Sequence, residues 1–82
     1  MEHEILKTRQ IALIDCREML APEPMIAVLA AVEKMNINEA LLMQHRQKPV
    51  NLFPKLEDRG LQYYLEEESD GSIQLLIWQE AA

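Results

Sequence analysis

Apolar residues follow two different periods along this chain. Gln10 to Asp15 (QIALID) is apolar throughout and bounded by polar residues, which predicts a strand covered on at least one face. Met25, Val28, Leu29, Val32 and Met35 then recur at helical spacing and predict one buried stripe. Pro22-Glu23-Pro24 opens that helix: prolines lose nothing in a first turn whose amides have no intrahelical partner, and Glu23 suits the positive end of the helix dipole. Ala27, Ala30 and Ala31 permit close approach to a sheet. Asn36-Ile37-Asn38 predicts the stop, with Asn in a left-handed cap.

Glu39 to Gln44 reads as a second strand, joined to the first by a parallel crossover. His45 to Val50 reads as a polar loop. A short helix follows over Leu52 to Arg59, with Leu52, Phe53 and Leu56 inward and Gly60 as its stop; Pro54 moves its start toward Phe53. Leu61 to Glu66 and Ile73 to Trp78 alternate with period two, and Asp70-Gly71 supplies a tight turn between them. The order is β-α-β-α-β-β. It predicts an α+β, two-layer α/β sandwich: a four-stranded mixed sheet with two helices on one face. Residues 10–80 form a single domain, and 1–9 a flexible N-terminus. Tyr64, Leu76 and Trp78 fall on the sheet face that no helix covers, a surface for a protein partner or a homodimer.

Composition narrows the function classes. One cysteine excludes a disulfide framework or a cysteine-based zinc cluster, and two glycines cannot build a phosphate loop. No apolar run suits a signal peptide or a membrane span, so a cytoplasmic protein without membrane attachment is expected. Net charge is −6, and from Glu66 to the end there is no Lys or Arg. That acidic hairpin repels phosphate backbones, so nucleic acid is not an expected partner.

Ile14-Asp15, then Ala21-Pro22-Glu23-Pro24-Met25, resembles the signature of the TusA/SirA-like sulfur-carrier superfamily, in which an Asp closes the first strand and Cys-Pro-x-Pro opens the first helix. The match runs on through Lys34-Met35 and Asn38-Glu39-Ala40-Leu41-Leu42. A closer resemblance is to a sister family of small bacterial proteins known as a domain of unknown function. Its marks are Asp15-Cys16-Arg17, Pro22-Glu23-Pro24, the loop from His45 to Pro49, and Phe53 through Leu56 to Arg59-Gly60. The resemblance implies the superfamily's two-layer sandwich. It also implies that the carrier cysteine is missing, because Ala21 stands in its place and cannot hold a persulfide.

Ligands in open α/β sheets bind beyond the carboxyl ends of parallel strands. That rule gathers Asp15, Arg17, Glu23, His45 and Arg46 as ligand-binding candidates. Asp15 and Arg17 form a salt bridge, or else Arg17 offers its fork to a small anion. Cys16 is a small buried apolar residue, or else a thiol activated by Arg17 and His45. The leading expectation is a non-catalytic binding or interaction domain with no cofactor and no resident metal. Two alternatives stand beside it: a sulfur or redox carrier using Cys16, and a small anion- or metal-binding protein.

Overall fold

A computed structural model describes residues 2–80. The elements are α1 (Glu4–Thr8), β1 (Gln10–Asp15), α2 (Glu23–Lys34), β2 (Glu39–His45), α3 (Phe53–Asp58), β3 (Leu61–Glu67) and β4 (Ile73–Gln79). The strands form one sheet in the order β1-β2-β4-β3. β1 runs parallel to β2, and the β2–β4 and β4–β3 pairs are antiparallel.

The main core lies between the sheet and the helices α2 and α3. Val28, Val32, Leu52 and Leu56 pack there against Leu41, Met43, Leu75 and Ile77. The α2 stripe follows the helical period, with Met25, Leu29 and Met35 half-buried beside it. Phe53 stacks on Tyr63 at 5.0 Å between ring centres, which anchors α3 to β3.

The opposite face differs from expectation. The stretch expected to fray carries α1, capped by His3, whose Nδ1 accepts from the Ile5 amide. (Met1, part of that stretch, lies outside the described residues.) Ile5 and Leu6 pack on Ala40, Leu76 and Trp78, and the His3 ring lies 4.9 Å from the Trp78 ring. Leu76 and Trp78 are therefore buried, and of the three residues assigned to an open face only Tyr64 stays exposed, at 41%. Period two correctly put them on one face but did not reveal the cover. A five-residue helix is too short to hold itself in water, so its sequence carries little signal; packing holds it. The side chain of Arg9 adds a tie to the Gln79 carbonyl.

Three local expectations are also corrected. Asn36 and Asn38 do not adopt left-handed backbone: among the described residues only Gly60 and Gly71 have positive φ. Instead the Asn36 side chain accepts the Asn38 amide at 2.8 Å, and Glu39 accepts the Asn36 amide, so side chains close the turn. His45 belongs to β2 rather than to a loop, because its backbone pairs with Ile73. The β3–β4 connection is wider than a two-residue turn: the Glu68 amide donates to the Ser72 carbonyl, and Asp70 caps the Ser72 amide.

Replacing Ile5 with Asp should uncover one side of Trp78. The expected result is a red shift of the chain's single tryptophan emission and a loss of ~1–3 kcal/mol in denaturant unfolding. Unchanged emission would mean that α1 does not cover that face.

Candidate functional site

The carboxyl ends of β1 and β2 lie side by side, as in other parallel pairs. Register decides which side chains meet there. Asp15 pairs with Gln44, and alternation places the next residue, His45, on the opposite sheet face, toward α2 and α3. His45 is 6% exposed, and its Nδ1 lies 3.1 Å from the Cys16 carbonyl oxygen. A carbonyl can only accept, so Nδ1 is the donor in this bond. This bond clamps the chain after β1 to the end of β2. The Cys16 amide reinforces the clamp by donating to the Gln44 carbonyl at 2.7 Å.

Beside His45 is a cavity of about 180 Å³, lined by Ala21, Pro22, Pro24 and Met25 from the start of α2 and by the Gln47–Leu52 segment opposite. Its walls are mainly apolar. Val50 and Leu20, which precedes Ala21, are 61% and 70% exposed. The Ala21–Pro22 peptide is cis. Pro22 and Pro24 have no amide proton, and the Glu23 amide donates to the Leu20 carbonyl at 2.9 Å. The first turn of α2 therefore offers few of the donors that make other helix starts hold anions.

The remaining sequence candidates do not converge on this cavity. Asp15 and Arg17 form a bidentate pair, with Nε to Oδ1 at 2.9 Å and Nη2 to Oδ2 at 2.8 Å; the Arg17 amide also donates to Oδ1. The pair is exposed, so it fixes a turn more than it stabilises the fold. The side-chain bond from Arg17, then its backbone bond, lower the Asp15 carboxyl to a pKa of about 2. Glu23 and Arg46 are exposed and outside the cavity lining. Cys16 is fully buried; burial, and secondarily the Asp15 charge, push its thiol up from the usual value. Arg17 does not counter this, since its guanidinium is held by Asp15. Among the described residues no three His, Cys, Asp or Glu side chains are grouped to hold a metal ion. Nor is any helix among them long and apolar enough to cross a membrane.

Sequence reasoning missed most of the cavity wall. Pro49 and Val50 sit in a loop that was read only as polar, although the His45-to-Pro49 motif lay within it, whereas Leu52 is inward as its helical position predicts. Lys48 at the same loop pairs with Glu67 at 2.9 Å, which ties the loop to β3.

The mixed four-stranded sheet with its main helices on one face is a SirA-like fold. The SirA-like protein from Desulfitobacterium hafniense superposes with a TM-score of 0.70 at 22% identity, covering 83% of this chain and 95% of that one. A family model of uncharacterized conserved proteins, DUF2249, matches residues 13–79, and the chain belongs to that family. No curated protein matches it.

Two measurements check the electrostatics. A carboxyl NMR titration should find Asp15 titrating at about 2, and Arg17→Ala should return it toward the ordinary ~3.9. Because the folded pKa is depressed, the stability it contributes is present above the unfolded value of ~3.9 and lost as pH falls toward 2; the variant should lack that pH-dependent component. For Cys16, an aromatic disulfide reagent at neutral pH should react at least ~100-fold more slowly with folded than with denatured protein. Rapid reaction of the folded chain would contradict a buried, unactivated thiol.

Proposed function

We propose that this chain is a non-catalytic interaction module that receives an apolar group of a protein partner in the cavity between His45 and the start of α2. The observation that carries this reading is that cavity, walled by Ala21, prolines, Met25, Val50 and Leu52. At about 180 Å³ it is smaller than the ~300–1,000 Å³ typical of small-molecule sites and suits one side chain. Exposed Leu20 and Val50 extend the apolar surface for the flanking chain. His45 lines the same cavity and brings the one ring nitrogen not used by the Cys16 carbonyl, Nε2, as a polar contact for the guest.

The carrier alternative has less support, since Cys16 is buried and its thiol disfavours ionisation. The anion alternative also has less support: Arg17 is already paired and the α2 start has lost two donors to proline. For a metal, the candidate ligands Asp15, Glu23 and His45 do not line one cavity.

Selection of random peptides displayed on phage, against the intact chain, tests the reading. Enriched peptides should share one apolar anchor and shift the amide resonances of Ala21, Val50 and Leu52. Val50→Glu should weaken the best peptide about tenfold or more, the scale of losing one buried aliphatic group. Enrichment of peptides that shift Leu13 and Tyr64 instead, or no enrichment over an unrelated protein, would overturn it.

A further inference from the structure

Among the described residues His45 is the only buried polar side chain, and only half of its ring is accounted for. Nδ1 donates to the Cys16 carbonyl at 3.1 Å, and Nε2 has no hydrogen-bond partner among those residues. No sealed side-chain nitrogen or oxygen among them lacks a partner, so Nε2 faces open space. The open space that His45 lines is the cavity at the start of α2. The walls of that cavity suit a ring. Pro22, Pro24 and Pro49 line it, and Met25 adds a thioether. Thioethers make favourable contacts with aromatic rings, and proline faces dock on aromatic rings in other recognition sites. An apolar cavity of ~150 Å³ holds benzene. At about 180 Å³ this one has room for a ring with one polar atom added. Lys48, also on the lining, is paired with Glu67, so its charge is already matched.

We propose that the group received here is a phenol, in a protein partner the side chain of a tyrosine, with its ring against the prolines and Met25 and its hydroxyl on His45 Nε2. This rests on the reading of the cavity as a docking site and names the side chain it takes. A phenol has an apolar body and a polar tip, as the walls and the single inward nitrogen require. Its hydroxyl both donates and accepts, so it pairs with Nε2 in either protonation state of the imidazole. A leucine or phenylalanine side chain would close Nε2 off from water without giving it a partner, which costs binding.

NMR titration of the intact chain with p-cresol and with toluene tests the proposal. A merely apolar cavity ranks toluene first, because it is the more apolar solute. Here p-cresol should bind at least about threefold tighter, the scale of one net hydrogen bond, and should shift His45 Nε2 together with the amides of Ala21, Val50 and Leu52. His45→Phe should erase that preference; the ranking on the unaltered chain stands as a test even where this variant folds poorly. N-acetyltyrosine methylamide separates a partner's side chain from a free phenol, and it should shift the same residues. Toluene binding as tightly as p-cresol at those residues would overturn the phenol and leave the apolar docking site standing. Exclusion of the capped tyrosine while p-cresol binds would overturn the tyrosine. Silence of the cavity resonances with all three probes would also overturn the proposal, whereas the docking site itself falls only with the peptide selection.

Discussion

β2 and β4 are paired on both edges and covered on both faces, and the rest of the chain serves that arrangement. Their backbone groups find partners in the sheet, since each has a strand on both sides. Leu41, Met43, Leu75 and Ile77 need α2 and α3 above them; Ala40, Leu76 and Trp78 need something below. With so few residues available, the second requirement is met by five residues of helix and the His3 ring. α1 therefore exists because of the surface it covers, not because of its own propensity.

The same central strand sets the site. β2 ends at His45, which alternation turns inward, and the inward ring bonds the Cys16 carbonyl where β1 ends. That bond fixes the distance between the β1–α2 connection and the loop after β2, and the cavity is the space left between them. The groups around that space are largely committed to one another. Asp15 takes Arg17 for itself, Arg17 cannot lower the Cys16 thiol, and two prolines thin out the donors at the helix start. What remains is an apolar recess beside the His45 ring, the feature on which the proposed recognition of an apolar group rests.

The two sheet edges are treated unequally. β3 is capped by acidic residues and tied to Lys48, whereas β1 leaves Ile11 and Leu13 with outward backbone groups and almost no charge. A chain with net charge −6 resists general aggregation, so an open edge is tolerable.

Strand and helix periods were legible because each is written locally: Gln10–Asp15 emerged with its true bounds, and the α2 stripe from Met25 to Met35 with its true inward face. The Pro22-Glu23-Pro24 start of α2 was equally legible, since it needs only the prolines themselves. A period tells which residues share a face, however, and not what lies against that face. So the cover over Trp78, the inward turn of His45 and the place of Pro49 and Val50 in the cavity wall were decided only when distant segments packed. Asp15 and His45 show the reason most simply. Both stand at neighbouring strand ends, yet a one-residue difference in register sends one to solvent and the other into the core.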